Sequence, residues 1–277
     1  MIKQEKIARV LLIIGIIILV VFAIFAMFPN LVAPYGEKEM FAPWQKPNGT
    51  HIFGTNDMGY DIFTELIFAT RQTLLVGLIS AGFSLALGSA IGIFSGYGKG
   101  VLSTIADGFI DVFLVIPKLP LIIVLTAFLG ASQGNVIVII ALLSWVGTAR
   151  VTRAKVVALK KMPFIDALKI SGFSNYEIMS KHILKNVKDV IFVKGVTTVT
   201  SCIMMESTLS FLGLSDVTKV TWGSMISMAY NRGGFLAGAY NWLLSPGICI
   251  MLCILAFFCL NYYFEVKSQE VENRSFF

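Results

Sequence analysis

The amino-acid sequence predicts an all-α integral membrane protein with six membrane-spanning helices. Hydrophobic residues make up 56% of the 277 residues, charged residues only 14%, and the mean hydropathy is +0.80. A soluble domain carries about 25% charged residues, so this chain has too little polar surface to cover a water-facing sphere. Lipid must therefore cover much of it.

Six apolar runs are candidates for spans, since a spanning helix needs roughly 20 predominantly apolar residues. They cover residues 7–28, 71–96, 101–129, 134–152, 190–213 and 243–264. No small-residue cleavage pattern follows the first run, so we expect a retained anchor. The third run is the least regular, because it contains Asp107, Asp111, Pro117, Lys118 and Pro120. Its first turns are expected to project from the bilayer or to line an internal surface.

The distribution of basic residues predicts that both termini are cytoplasmic, since cytoplasmic loops are rich in Lys and Arg. With this orientation the inside segments hold Lys3, Lys6, Arg9, Lys99, Arg150, Arg153, Lys155, Lys160, Lys161, Lys169, Lys181, Lys185, Lys188, Lys267 and Arg274. The outside segments hold only Lys38, Lys46, Lys219 and Arg232, with Arg71 at a boundary. Membrane topology therefore explains the net charge of +6 better than a nucleic-acid partner does.

The spans divide the chain into an anchor, an outside segment, a core and a tail. These cover 1–28, 29–70, 71–264 and 265–277, and the core contains the cytoplasmic loop 150–188 and a second outside segment, 214–242. An amphipathic stretch from Asp57 to Ala69 predicts a short helix in the first outside segment. We expect Asp57 to cap it, because a carboxylate accepts from exposed first-turn amides.

Small residues recur every four positions along the second span. They are Ser80, Ser84, Gly88, Gly92 and Gly96. This stripe lets another backbone approach closely, either within the subunit or at a subunit interface, and both alternatives stay open. It predicts a contact surface, not a site of chemistry.

The cytoplasmic loop 150–188 contains a predicted docking helix. Pro163 is a natural helix-starting residue, and Phe164, Ile165 and Leu168 form an apolar patch at helical spacing. Gly172 then permits a sharp turn, and a second amphipathic helix is expected at 175–185. A solvated loop attracted to anionic headgroups needs no such pattern, so docking to a partner is favoured.

Ionisable groups within spans are candidate functional residues, because burying an unpaired charge there is costly. Asp111, Lys118 and Glu206 are the candidates for a pathway or for buried polar contacts. A structural role for Glu206, protonated or paired with a neighbouring helix, is nearly as well supported. The four cysteines lie in apolar runs and are interpreted as packing residues. His51 and His182 are predicted on opposite sides of the membrane, so no metal site is expected.

Several recognisable motifs are missing from the sequence. Gly98-Lys99 lacks the remaining positions of a P-loop, so the chain itself is expected to bind neither ATP nor another cofactor. There is no G-x-S-x-G, no H-E-x-x-H and no Cys/His ligand cluster. An enzyme is therefore disfavoured.

Ordered motifs nevertheless resemble one family, the dipeptide/oligopeptide/nickel ABC-importer permeases in the branch of the C-type subunit. The stretch from His51 to Asp61 is similar to the family's "H-x-L-G-T-D-x-x-G-R-D". Asp166-Ala-Leu followed by Gly172 resembles the "E-A-A-x-x-x-G" signature. Further matches are 71–77, the "D-x-x-x-x-x-P" at 111–117, the "H-x-L-P-N" tail at 182–186, "E-x-x-L-S-F-L-G-L" at 206–214 and "W-G-x-M" at 222–225.

The sequence also departs from the family pattern. Asn56, Tyr60 and Glu65 replace the usual Asp, Arg and Arg of the outside segment. Asp166 replaces the signature glutamate and keeps its charge, while Leu168 replaces the second alanine. Lys185 stands where the tail has proline, and the customary prolines are missing between Leu214 and Trp222.

The resemblance implies a type I ABC-importer permease in a bacterial or archaeal plasma (inner) membrane. Its implied partners are a second homologous permease, two cytoplasmic ATPases that hold ATP and Mg²⁺, and an extracytoplasmic substrate-binding protein. The implied ATPase-coupling residues, between spans 4 and 5, are Phe164, Ile165, Asp166, Ala167, Leu168 and Gly172. The apolar members are expected to bury against the ATPase, and Gly172 to set the angle between two helices.

Alternatives remain at this stage. Small peptides are the broadest implied substrate class, and nickel or another metal chelate is next. An ion-coupled secondary transporter would show paired broken helices and repeats, which the sequence does not reveal. A non-transport scaffold would not need the charges at Lys118 and Glu206.

Overall fold

The computed structural model describes residues 2–98 and 100–274, and these residues are mainly helical. The elements are α1 (Ile2–Met27), α2 (Pro29–Val32), α3 (Ile62–Tyr97), α4 (Val101–Val115), α5 (Lys118–Leu129), α6 (Gln133–Lys160), α7 (Pro163–Ile170), α8 (Asn175–Glu177), α9 (Leu184–Phe211), α10 (Trp222–Asn231) and α11 (Tyr240–Arg274). Lys99 and the last three residues of the predicted tail lie outside the described residues.

Five of the described helices are long and apolar enough to cross a membrane. They cover Gln4–Met27, Ile62–Tyr97, Gln133–Lys160, Asn175–Phe211 and Tyr240–Lys267. The pair α4 and α5 passes the same test together, but its two helices meet at an angle of 91°. Counting this bent pair as one span gives the six that the sequence predicts.

The third span is broken because of its prolines. Ile116 and Pro117 have extended backbone between α4 and α5, and the ring of Pro117 cannot continue a helix through this point. The candidate span 101–129, which the sequence marks as the least regular, is therefore made of two helices. A broken helix is present in this chain, although the sequence did not reveal one.

Helix α3 lies at the centre of the bundle, between α6 and α9, and α1 packs against α11 at its side. α3 begins directly after Asp61, whose carboxylate accepts from the backbone N–H of Thr64 at 2.8 Å. The predicted cap at Asp57 is thus wrong, and the short helix expected at 57–69 is the first part of α3. Nothing in the sequence interrupts the helical pattern after Ile62, so the outside helix and the second span form one element.

The small-residue stripe of α3 lies against α6. A Cβ atom added to Gly88 would stand 2.5 Å from the Trp145 carbonyl oxygen, and one added to Gly92 would stand 2.6 Å from that of Ala149. A Cβ atom added to Gly96 would stand 2.8 Å from the Cβ of Val156. Ser80 donates a hydrogen bond to the carbonyl of Ile137 at 3.2 Å, and Ser84 is buried. The missing side chains bring the two backbones together, which maximises dispersion contacts between spans.

The two ends of the bundle carry different structures. The α10 end holds α10 and the segments 33–61 and 214–239, and its core includes Trp222, Trp242 and Phe22. The α7 end holds α7, α8 and the last turns of α3 and α6. At this end the helix expected at 175–185 is not separate, because α8 continues through a π-helical turn, Ile178–Ile183, into α9.

Candidate functional site

The docking helix predicted from the loop is α7. Pro163 occupies its first turn. A backbone N–H at this position has no hydrogen-bond partner within the helix, so its absence from proline costs nothing. The helix ends at Ile170, and Gly172, two residues beyond it, has φ +85°. The N–H of Gly172 donates to the Lys169 carbonyl at 3.1 Å, and that of Phe173 donates to the Leu168 carbonyl at 3.1 Å. This pair of bonds is a Schellman motif, which needs a left-handed residue at the position of Gly172.

One face of α7 packs inside this chain. Ile165 is completely buried in a cluster with Tyr97, Val156, Leu159, Ile178, Ile183 and Val187. Phe164 and Leu168 are partly buried against the same cluster. The expectation that all the apolar residues of α7 bury against a partner therefore needs correction for Ile165. Its side chain attaches α7 to the spans instead.

The other face of this segment is exposed and contains a second set of apolar residues. Asp166 and Ala167 lie on it, and Ile170 is 88% exposed. Met162, Phe173 and Tyr176 are exposed nearby. We call Met162, Ile170, Phe173 and Tyr176 the outer apolar face. Sequence periodicity missed this set, because two of its members lie beyond Gly172, outside the helix.

Polar contacts attach this segment to the ends of the spans. The Tyr97 hydroxyl at the end of α3 donates to the Asn175 side chain at 3.2 Å. Lys160, at the end of α6, donates to the Gly98 carbonyl at 3.0 Å, and its ammonium lies 5.7 Å from the Tyr97 ring centroid. On the exposed side, Asp166 accepts from Lys169 at 2.7 Å, and this hydrogen bond raises the pKa of the Lys169 ammonium. Together with the cluster around Ile165, these contacts join α7 and α8 to the ends of α3, α6 and α9.

The three predicted polar residues of the spans lie in different environments. Asp111 is exposed on α4, and Lys118 begins α5 at the break. Glu206 is only 2% exposed and accepts hydrogen bonds from Ser210 at 2.6 Å and Ser207 at 3.3 Å. Hydroxyl groups of its own helix therefore hydrogen-bond the Glu206 carboxyl group.

Lys194 on α9 was missed by the sequence argument. Its side chain crosses to α6, where the ammonium lies 3.6 Å from the position that a Cβ of Gly147 would take. The signal that could have found Lys194 is a lysine inside an apolar run, the same signal that drew attention to Lys118.

The α10 end is held together by ionic and polar contacts. The His51 ring nitrogen Nδ1 lies 2.9 Å from the Asp61 carboxylate, and both side chains are buried. Asn56 donates to Glu65 at 3.2 Å. Arg232 joins the two outer segments by pairing with Asp57 at 3.3 Å. Two residues that depart from the family pattern, Asn56 and Glu65, therefore bond to each other.

A bundle of long apolar helices, one of them broken at Pro117, is the architecture of a polytopic membrane protein. The chain belongs to the family of binding-protein-dependent transport system inner membrane components, whose pattern matches residues 88–268.

Named relatives support this assignment along most of the chain. The dipeptide transport system permease protein DppC of Alkalihalophilus pseudofirmus is 32% identical over 92% of this chain and 83% of its own length. DppC of Haemophilus influenzae is 32% identical over 88% of this chain and 85% of its own. A chain of the MetNI methionine ABC transporter, solved in inward-facing conformations, has 17% identity and a TM-score of 0.54. It covers 71% of this chain and 94% of its own, which supports the type I permease fold.

Proposed function

We propose that this chain is a permease subunit of an ATP-driven importer that takes up small peptides across the plasma membrane. The two DppC proteins described above are named dipeptide transport system permease proteins. Their names favour peptides over nickel or another metal chelate as the substrate. The family description, a component of binding-protein-dependent transport, favours this function over an ion-coupled secondary transporter.

In this proposal the chain works with several partners. A second, homologous permease completes the pathway, and two cytoplasmic ATPases bind ATP with Mg²⁺ and hydrolyse it. A substrate-binding protein docks on the α10 end, which faces outwards. The α7 end and both termini face the cytoplasm, as the basic residues predict.

The observation that carries the proposal is the structure of the α7 segment. Its inner face, with Ile165, is fixed to three spans, while its outer apolar face is exposed. An exposed apolar patch on an otherwise charged surface indicates a protein contact. Because packed helices move as rigid bodies, closure of an ATPase around the outer apolar face would move α3, α6 and α9 together. The predicted coupling residues Asp166, Ala167 and Gly172 lie on or beside this face.

The test is Ile170→Asp, which places a charge on the outer apolar face. Since Ile170 is 88% exposed, the folded chain should keep its thermal stability and its insertion. We expect the amount of co-purified ATPase and the rate of ATP-driven peptide uptake to fall by about tenfold or more, as for a central interface residue. A matched control for insertion, stability and ATPase co-purification is Val217→Asp, which adds the same charge to a residue that is 94% exposed at the opposite end of the bundle.

Two results would contradict the proposal. Normal co-purification and uptake by Ile170→Asp would exclude the outer apolar face as the ATPase contact. Uptake that persists after the ATPase genes are deleted would exclude an ATP-driven importer altogether.

A further inference from the structure

One side of α9 is polar although the rest of the chain does not cover it. The helix is the last part of Asn175–Phe211, which is long and apolar enough to cross a membrane. Four polar residues recur along it at spacings of three, four and seven positions, which places them on one side of the helix. They are Lys194, Thr197, Ser201 and Thr208, and we call them the polar face of α9. Ser201 is exposed, and the other three are partly exposed.

The other long helices of the bundle bury their hydroxyl groups. Between Val10 and Met27, α1 contains only apolar residues and glycine. The serine and threonine residues within the candidate spans 71–96, 134–152 and 243–264 are all buried: Thr73, Ser80, Ser84, Ser89, Ser95, Ser144, Thr148, Thr152 and Ser245. Exposed positions of these spans carry apolar side chains such as Phe83, Leu142 and Phe258. Surfaces of that kind suit lipid, whereas a face with a lysine must contact protein or water.

The hydroxyl groups of the polar face are already bonded within α9. Thr197 donates to the Lys194 carbonyl at 2.9 Å. Ser201 donates to the Thr197 carbonyl at 3.0 Å, and Thr208 donates to the Met204 carbonyl at 2.8 Å. Their hydrogens are therefore not free to join α9 to a neighbouring helix, as polar residues in membrane bundles do. Each oxygen keeps a lone pair that can accept from water, so this face suits a wetted surface better than a helix interface.

The polar face extends along most of the span. Thr208 lies 14 positions after Lys194, which is about 21 Å at 1.5 Å per residue. The hydrocarbon core of a bilayer is about 30 Å thick, and the sequence places this span at 190–213. Met204, on the same side between Ser201 and Thr208, is 45% exposed and supplies a flexible apolar contact.

We propose that the polar face of α9 lines a water-filled pathway along which the peptide crosses the membrane. This inference rests on the proposed function, because that function requires a hydrated route for a polar solute through the bilayer. Hydroxyl oxygens can accept from water and from the N–H groups of a peptide. Such single, neutral hydrogen bonds are weak enough to release the solute again, which passage through the membrane requires.

The first experiment measures the reaction of a single thiol with a charged methanethiosulfonate in the assembled importer, with and without ATP. Ser201→Cys places the thiol on the polar face, and Leu255→Cys places it on the apolar side of α11, at a residue that is 44% exposed. The four native cysteines are buried or partly buried, so the unsubstituted chain gives the background rate. Because only the thiolate reacts, and it forms in water but not in hydrocarbon, we expect Ser201→Cys to react at least about tenfold faster than Leu255→Cys.

This measurement does not depend on peptide transport. Equal rates for the two thiols, or no reaction at Ser201→Cys in either nucleotide state, would mean that lipid or another helix covers the polar face and would overturn the proposal. If Ser201→Cys reacts fast but the wild-type importer takes up no peptide, the proposed substrate is wrong and the wetted face stands.

A second experiment tests whether the solute passes this face. Ser201→Trp adds bulk to the polar face, and Leu255→Trp adds a similar side chain to the apolar side of α11. We expect peptide uptake by Ser201→Trp to fall about tenfold or more, since a pathway conducts only what its diameter admits. Its thermal stability and its co-purification with the second permease and the ATPases should match those of Leu255→Trp.

Two outcomes of the second experiment would contradict the proposal. Equal uptake by the two tryptophan variants would exclude the polar face from the route of the peptide. Release of the second permease by Ser201→Trp during purification, with Leu255→Trp still assembled, would identify this face as a subunit interface instead.

Discussion

The close approach of α3 and α6 can be tested by adding a single methyl group. In Gly88→Ala the new Cβ would stand 2.5 Å from the Trp145 carbonyl oxygen, 2.8 Å from the Thr148 Cβ and 3.1 Å from the Ala149 nitrogen. Two of these atoms are backbone and the third is attached directly to it. None can move away by a side-chain rotation, so the helices must separate.

The expected magnitude follows from a comparison with a second glycine of the same helix. Gly82 lies on the exposed side of α3, and a Cβ there would meet no atom within 4 Å. Both substitutions gain the same helix propensity, up to about 1 kcal/mol. Overpacking of a tight contact costs about 1–3 kcal/mol. Gly88→Ala should therefore be less stable than Gly82→Ala by about this amount.

The assay is thermal unfolding of the detergent-solubilised chain, followed by the loss of its monodisperse peak in size-exclusion chromatography. A change of 1 kcal/mol shifts the Tm by about 2–4 °C in domains of roughly 150–250 residues. The two variants should thus differ by several degrees, with Gly82→Ala at or above the wild type. Equal Tm values would mean that the stripe does not hold α6 at this distance and would refute the packing argument.

Two further predictions concern the ends of the bundle. Gly172→Ala should slow ATP-driven uptake, because a non-glycine residue in the left-handed conformation costs about 1–2 kcal/mol. Gly172→Asn should keep more activity, because asparagine tolerates that conformation. Equal uptake rates in the two variants would argue against a conformational role for Gly172. Asp61→Ala should speed hydrogen exchange of the Thr55 and Asn56 backbone amides. The substitution removes the N-terminal cap of α3, which is worth about 0.5–2 kcal/mol, and it removes the partner of the His51 ring. Asp61→Asn, which keeps the capping oxygen, should have an intermediate effect, and wild-type exchange in both variants would contradict this role.

Sequence reasoning recovered the membrane-spanning architecture because lipid imposes a simple constraint. A backbone in hydrocarbon must satisfy its own hydrogen bonds, so each apolar run becomes a helix. The docking helix was visible for a similar reason: Pro163 and Gly172 mark its ends, and Ile165 and Leu168 mark a face. The periodicity of that face could not say whether its partner lay inside or outside this chain. The structure shows that Ile165 packs inside.

The stripe of small residues also shows what the sequence predicts and what only the structure adds. Its spacing established a contact surface, but only the structure identifies α6 as the helix that contacts it. The cap of α3 depended on where the helical hydrogen bonds begin, and two aspartates four residues apart fit the sequence pattern equally well. The structure selects Asp61, whose backbone is extended and whose carboxylate also meets His51.

The sequence by itself determined which apolar runs are long enough to cross the membrane, which family motifs it carries and where α7 begins and ends. These properties depend on local composition and on the solvent, which act on each segment separately. The tertiary structure decided which groups meet: the small-residue stripe of α3 with α6, and Ile165 with the ends of the spans. Such contacts join residues that are 57 positions apart, as for Ser80 and Ile137, and only the packing of whole helices brings them together.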